Sequence, residues 1–307
     1  MDLLGSIRRG RVHWREIRIL KKTGKTRILH APSPWLKKIH RLLNKNLFSD
    51  VPIADNVYGF SGGSVLDAIK PHLKTKSRMM VDIKNAFPSI MYRQVVNFLR
   101  FGDRKQQYEI NIKEIDGREK LVREPVWGYF SSSVSRVICD LCLFDGRLPQ
   151  GAPTSPRLFD LVFSMLDDRL NMIAEKTKST YTRYADNIFF SCQEESFPKR
   201  LMWEVLDCIT WIEGFSKQLE WHKLKLRRAS KEAVRMLGLN IIDGRIYNTR
   251  HFKLQLRKHV HHLEWLKKND YYYDKEYEKL IGMMGFAQKN TLPAKLLKRI
   301  EHIKEYY

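Results

Sequence analysis

Two hydrophobic runs in the chain each close on an aspartate. One is Arg78-Met79-Met80-Val81-Asp82-Ile83. The other lies about a hundred residues further on, in Tyr181–Ser191, YTRYADNIFFS, where aromatic and β-branched residues flank Ala185-Asp186-Asn187. The second pattern predicts a β-hairpin with an acidic tip. A single Asp on a turn serves its own backbone hydrogen bonds. Two carboxylates at neighbouring strand ends can do more, because together they can share metal ions. A pair of Mg²⁺ ions held about 3.5–4 Å apart clamps the attacking and leaving oxygens of a phosphoryl transfer. The chemistry to test is therefore two-metal transfer at Asp82 and Asp186.

The charge balance points to the substrate class. Lys and Arg number 56 against 34 Asp and Glu, a formal +22 spread along the whole chain. Such an excess predicts a polyanionic partner bound in a salt-sensitive way, with nucleic acid the first candidate. A solvated basic surface or a nonspecific membrane binder is the alternative on charge alone. No apolar run approaches the ~18 residues of a membrane span, and the N-terminal MDLLGSIRRGRVHW has neither the apolar block nor the cleavage site of a signal peptide. A soluble, cytoplasmic protein is expected, with no membrane partner. Four cysteines agree with a reducing compartment. Cys139 and Cys142 form a CxxC, but no second metal-binding pair accompanies it and the segment is apolar at helical spacing, so both thiols are assigned to the core.

The elements that must position the two aspartates follow in chain order. WREIRILKKTGKTRILH, residues 14–30, predicts a basic hairpin, either a flap over phosphates or an edge kept soluble by lysines. WLKKIHRLLNKNLF predicts an amphipathic helix with Leu36, Ile39, Leu42 and Leu43 inward. VYGFSGGSVLDAIKPH places Gly59, Gly62 and Gly63 before a short helix starting near Ser64, a weak phosphate-loop signal. After the strand ending at Asp82, Phe87-Pro88-Ser89 turns into a helix from Met91 to Phe101. Residues 102–124 are polar and predict an exposed hairpin or insertion, and Trp127–Phe144 a helix of mixed face. The Pro- and Gly-dense LPQGAPTSP then opens onto a long buried helix. There Asp160, Asp167 and Asp168 are read as solvated or paired. Beyond the Asp186 hairpin come a helix over Pro198–Phe215, a basic strand in LEWHKLKLRRAS, a strand over Val234–Ile242, and an Asp243-Gly244 turn. From His251 onward the chain reads as basic helices, with His259, His261 and His262 assigned to a surface or groove.

Taken together, RILKKTGKTRILHAP, VDIKNAFPSI, LPQGAPTSP, YTRYADN, a basic strand, LGLNI and a helical tail resemble, in that order, a reverse transcriptase of the bacterial retron and group II intron-like group. The resemblance covers nearly the whole chain; LPQGAPTSP and YTRYAD are its most specific parts. It implies an α+β right-hand polymerase: fingers over 1–75, a ferredoxin-like palm over 76–245 with a fingers-side insertion around 102–139, and a helical thumb over 246–307. By the same resemblance Asp82 and Asp186 are the metal-binding aspartates for two Mg²⁺ ions, with the Ile83 carbonyl completing the site. Phe87 lies against the sugar and excludes a 2′-hydroxyl. Gln150 touches the incoming nucleotide's sugar, and Gly151 lets the backbone approach it. Lys25 and Arg27 lie over the triphosphate. Lys223, with Lys225 as competitor, is the basic residue at the leaving group. The thumb residues Lys253, Arg257, Lys258 and His261 track the nucleic-acid backbone.

The chain departs from the pattern in specific places. The family's Tyr-Ala-Asp-Asp ends here in Asn187, which keeps size and one carbonyl acceptor but lacks a negative charge, so weakened metal binding is expected. Asp67-Ala68-Ile69-Lys70-Pro71-His72 stands for Asn-Ala-x-x-His, and Met236-Leu237-Gly238 for Val-Thr-Gly. Related antiphage reverse transcriptases are resembled as well as retrons. The implied activity is RNA-directed DNA synthesis from dNTPs on a structured non-coding RNA template, with a DNA or RNA primer, in antiviral defence beside an effector protein. A pseudo-polymerase that only binds RNA, or a template-independent or protein-primed synthase, is the competing reading.

Overall fold

The computed structural model describes residues 14–20, 24, 26–60, 62–83, 85–102, 109–115, 118–124, 130–211, 224–228 and 233–305. Its first element is the basic hairpin, β1 (Trp14–Leu20) paired antiparallel with β2 (Thr26–Pro32). Aromatic contacts anchor its base. Trp14 lies 5.6 Å from the His40 ring and 6.0 Å from Phe144, and His30 stacks on Phe144 at 4.0 Å.

Pro34 and the Ser33 side chain, which accepts from the Leu36 N–H, start α1 (Pro34–Leu43), and the chain continues in a wider turn over Asn44–Phe48. Its inner face differs from the expected one: Leu36 and His40 are buried whereas Leu42 is 50% exposed. The His40 ring is retained inside by a hydrogen bond to the Leu141 carbonyl at 2.8 Å. The short strand β3 (Val57–Tyr58) and α2 (Val65–Ile69) follow, the helix closed by a Ser64–Asp67 capping box.

The centre of the molecule is a five-stranded sheet in the order β3-β7-β8-β4-β9. It contains β4 (Ser77–Asp82), β7 (Thr180–Tyr184), β8 (Asn187–Cys192) and β9 (Lys225–Arg228). β3 runs parallel to β7; the other pairs are antiparallel. Alternation along the strands sends Met79, Val81, Ile188 and Phe190 into one apolar cluster and Met80 and Phe189 into another. Both faces are thus covered, which is why β4 and β8 read as nearly continuous apolar runs.

Four helices carry the larger cluster: α4 (Tyr92–Phe101), α5 (Ser132–Cys142), the 22-residue α6 (Ser155–Lys176) and α7 (Lys199–Trp211). The four-residue α3 (Ala86–Ser89) precedes them on the chain. Strands β5 (Glu109–Ile115) and β6 (Arg118–Glu124) form the hairpin expected of the polar segment. Helix α5, included in the expected insertion around 102–139, instead contributes Ile138, Cys139 and Cys142 to the main core. Burial pushes the Cys142 thiol up to about 12, as befits a core residue.

The other face of the sheet is covered by β10 (Val234–Met236), β11 (Leu239–Ile242) and β12 (Arg245–Asn248). The expected single strand over Val234–Ile242 is two strands. Leu237 and Gly238 take φ of 46° and 85°, and Asp243 and Gly244 take 48° and 71°, giving two successive tight hairpin turns with positive φ at both central residues.

The C-terminal part packs α8 (Arg250–Lys268), α9 (Asp274–Phe286) and α10 (Ala294–Glu305) around Leu256, Val260, Leu263, Leu280, Leu296 and Ile300. His259 is buried, not on the expected surface, and its ring bonds the Glu276 carbonyl at 2.9 Å. Asn248 joins this unit to β12 by donating to the Gln288 carbonyl and the Thr291 hydroxyl, both at 2.8 Å. Among the described residues no helix is long and apolar enough to cross a membrane.

Candidate active site at the strand ends

Strand register brings the chemistry-bearing residues together. Asp82 is the last residue of β4 and stands directly across from Asn187, the first of β8. Asp186 precedes it in the two-residue turn that joins β7 to β8. The Ile83 N–H donates to the Asp186 carbonyl at 3.3 Å, and the Asn187 amide donates to the Asp186 carboxylate at 3.1 Å. Asp82, Asp186 and Asn187 are all half-buried at one end of the sheet.

The turn itself is strained and held from behind. Ala185 has φ of 53°, a conformation unfavourable for a residue with a Cβ. Its N–H donates to the Tyr58 carbonyl and its carbonyl accepts from Arg183, both at 2.9 Å. Arg183 is fully buried. It donates twice to Asp167 at 2.7 and 2.8 Å and once to Asp160 at 2.8 Å, while the Tyr181 hydroxyl donates to Asp167 at 2.6 Å. Burial alone pulls the guanidinium down, but the charges and hydrogen bonds of Asp167 and then Asp160 more than restore it, so the arginine stays charged.

A second lock lies under the same hairpin. The Thr182 hydroxyl donates to the Ala68 carbonyl, so the His72 Nε2–H donates to Thr182 at 2.8 Å and its Nδ1 accepts from Ser191 at 2.6 Å. Burial, then the charge of Arg78, pulls His72 down to about 3, and the ring is neutral.

The glycine loop is docked on the hairpin tip. A Cβ on Gly59 would sit a tight 3.2 Å from the Ala185 nitrogen, and the glycine's φ of +104° is itself one that L side chains rarely adopt. Phe87 on α3 is half-buried, its ring 5.4 Å from both Phe60 and Phe159. Phe159 stacks on Phe163 at 4.9 Å, and the Arg183 guanidinium lies 4.6 Å over Phe163.

The remaining expected residues lie on other elements. The Gln150 carbonyl accepts from the His30 N–H at 2.8 Å. At Gly151, φ +115°, a Cβ would meet the His30 carbonyl at 3.2 Å, so the close approach it permits is to β2. Arg27 is exposed on β2, and Lys225 is exposed on β9 opposite Met80. Lys25 and Lys223 lie outside the described residues. Along α8, Lys253 is half-buried and Arg257, Lys258 and His261 are exposed.

No group of three or more His, Cys, Asp or Glu converges among the described residues. The donors at the strand ends are two carboxylates, an amide and a main-chain carbonyl. That all-oxygen set fits a hard divalent cation such as Mg²⁺, with less charge than a three-carboxylate site would bring.

Sequence reasoning missed Arg183 and His72 as positioning groups. Two signals were present: an arginine inside an apolar strand, and Asp160 and Asp167 seven apart on one face of a buried helix.

Comparison with known proteins gives a family match over residues 19–241, described as "Reverse transcriptase (RNA-dependent DNA polymerase)". The Retron Ec73 reverse transcriptase of Escherichia coli is 28% identical over 281 residues, 88% of this chain and 81% of that protein. The Retron Mx162 reverse transcriptase of Myxococcus xanthus is 31% identical over 188 residues, 61% of this chain but 37% of that protein. The chain thus spans little more than a third of the length of the Mx162 relative. Among solved structures, a foamy viral protease-reverse transcriptase in complex with double-stranded DNA matches 95% of this chain and 43% of its own, at TM-score 0.48 and 17% identity. The apo telomerase of Candida tropicalis, truncated from its C-terminal domain, matches 77% of this chain and 55% of its own at TM-score 0.47 and 12% identity.

Proposed function

Since the chain belongs to the reverse transcriptase (RNA-dependent DNA polymerase) family, with curated relatives among the retron enzymes, we propose that it is an RNA-directed DNA polymerase extending a primer on a dedicated structured RNA. Its α+β fold is that of a right-hand polymerase; we divide it into fingers over 1–75, palm over 76–245 and thumb over 246–307. The observation that carries the reading is Asp82 and Asp186 at one sheet end, with Asn187 across from the first and bonded to the second.

Asp82 and Asp186, with the Ile83 carbonyl, would hold the catalytic magnesium. When bound, two Mg²⁺ ions supply neutralisation of the triphosphate and activation of the primer 3′-hydroxyl. The chain's own residues do the positioning. Arg183 and His72 hold the hairpin rigid, so the carboxylates meet the reacting groups without reorganising. Phe87 bars the 2′-hydroxyl by size, and Gln150 contacts the sugar. Gly151 seats β2, which carries Arg27 toward the triphosphate together with Lys25. Lys223 protonates the leaving pyrophosphate, and α8 follows the backbone through Lys253, Arg257, Lys258 and His261. The partners we assign are a structured non-coding RNA, a DNA or RNA primer, dNTPs and, in an antiviral defence role, an effector protein.

A second reading rests on Asn187. An amide there brings no charge to the metals and occupies a lone pair of Asp186, as in a pseudo-polymerase retained for RNA binding. Primer extension on a primed RNA with Mg²⁺ and dNTPs separates the two. Asp82→Ala abolishes synthesis, and Asn187→Asp strengthens it: one added charge about 4 Å from a dication is worth about 2 kcal/mol even at the dielectric of water, more than tenfold in metal affinity. If neither this chain nor Asn187→Asp incorporates nucleotide with any primer, the polymerase reading is lost.

A further inference from the structure

Phe60 lies in the turn closed by the Gly59 N–H donating to the Gly62 carbonyl at 2.8 Å. Both glycines have positive φ, +104° and +116°, so the turn is one that side chains with a Cβ would not form. The described residues of this loop make their contacts within the fold. The loop's N-terminal side is clamped to the carboxylate-bearing hairpin: β3 pairs with β7, the Tyr58 carbonyl accepts from Ala185, and Gly59 lies against the Ala185 nitrogen. The loop therefore places one aromatic ring at a fixed offset from Asp186.

That ring faces Phe87. The two centroids are 5.4 Å apart at 50°, and Phe60 also meets Phe159 edge-on at 6.1 Å. Phe87 thus sits in a three-ring group whose other members differ in rigidity. Phe159 is fully buried and backed by Phe163 and Arg183. Phe60 is 38% exposed and is carried by the glycine turn. A ring that excludes one hydroxyl group by size works only if it cannot swing away, because the hydroxyl demands little extra room. Phe159 blocks one direction of movement, and Phe60 is placed to block another.

We infer that Phe60 is a positioning residue for sugar selection, holding Phe87 in the orientation that rejects ribonucleotides. The inference rests on the reading of Phe87 as the residue that excludes the 2′-hydroxyl. It gives the glycine loop a function in specificity.

The test is the ratio of dNTP to rNTP, measured as equilibrium affinity for the protein on a primed RNA template and as incorporation. The affinity arm needs no turnover. Phe87→Ala should collapse the ratio. Phe60→Ala should lower it roughly 3- to 10-fold, the range an aromatic pair is worth, mainly by admitting ribonucleotide. Phe60→Tyr should restore it. In the Phe87→Ala background, Phe60→Ala should add nothing further, since its effect passes through Phe87. Thermal melts show whether each variant is folded, and a partly exposed loop residue should lower the midpoint little. A normal ratio in Phe60→Ala beside a collapsed ratio in Phe87→Ala overturns the inference and leaves the Phe87 reading standing. An unchanged ratio in Phe87→Ala overturns both. A further loss in the double variant overturns the positioning role by showing that Phe60 meets the sugar itself.

Discussion

Replacing Arg183 by Met should expose how much of the fold depends on one buried cation. The side chain is replaced by one of similar length, but the buried Asp160 and Asp167 lose the guanidinium that bridges them, and the Ala185 carbonyl loses its donor. Removing one partner of a buried ion pair costs about 3–5 kcal/mol, and the lost bond to Ala185 about 1 kcal/mol more. The sum, roughly 4–6 kcal/mol, is a large share of the 5–15 kcal/mol typical of a whole domain. Urea unfolding followed by circular dichroism gives the loss from the midpoint and slope. The sign of its pH dependence identifies the cause. Burial already pushes Asp167 upward, with Arg183 pulling against it. Without Arg183 that pull is gone and Asp167 lies further above its unfolded value, so the folded state binds more protons and the deficit should shrink as pH falls from 7 to 5. Asp160→Asn and Asp167→Asn added to Arg183→Met should recover most of the loss. A deficit below about 1 kcal/mol, or one indifferent to pH, would refute the account of the cluster as a charge-compensated clamp.

Three further outcomes follow from the geometry. His72, down at about 3 when folded against 6.5 ordinarily, is protonated in the unfolded chain first; stability is therefore lost as pH falls below 6.5, by about 2 kcal/mol at pH 5. His72→Gln should flatten that fall in urea midpoints, and an equally steep fall would show that other groups cause it. Gly151→Ala should cost about 1–3 kcal/mol through its positive φ and the His30 carbonyl, more than Gly24→Ala, which has positive φ but open space; equal losses would remove the contact from the explanation. Changing Lys253, Arg257 and Lys258 to Gln should reduce the slope of log affinity against log salt for RNA by about 2, at ~0.7 per single-strand phosphate contact, and an unchanged slope would place these residues off the nucleic acid.

What the sequence made legible was local. The hairpin at Asp186, the strand ending at Asp82 and the helices from residue 250 onward are patterns of period 2 or 3.6 with turn residues at their ends, and each is present. Two turns hid inside apolar text. Leu237-Gly238 reads as strand because Leu is apolar, yet the left-handed Leu is carried by the glycine after it. Side chains whose partners are remote were not legible. Asp160 and Asp167, read as solvated or paired, are paired, but the sequence did not show that Arg183 is their partner, and His72 gains its meaning from Thr182 and Ser191, more than a hundred residues away. The close packing of Gly151 against His30 of β2 was likewise invisible in the linear text. The mapping from motif to residue type survives from the linear text; the mapping from residue type to task needs the third dimension.

The clamp beneath the Asp186 turn has one consequence for how such a chain can change. Bonds that fix the hairpin arrive through Arg183, His72, Tyr58 and the strand ladders, while the Asn187 amide and the Ile83 N–H bond Asp186 itself. Fold and chemistry are thereby carried by separate sets of atoms. Exchanging acid for amide at position 187 leaves the Arg183 and His72 locks in place, so the charge at the strand ends can vary while the scaffold stays the same.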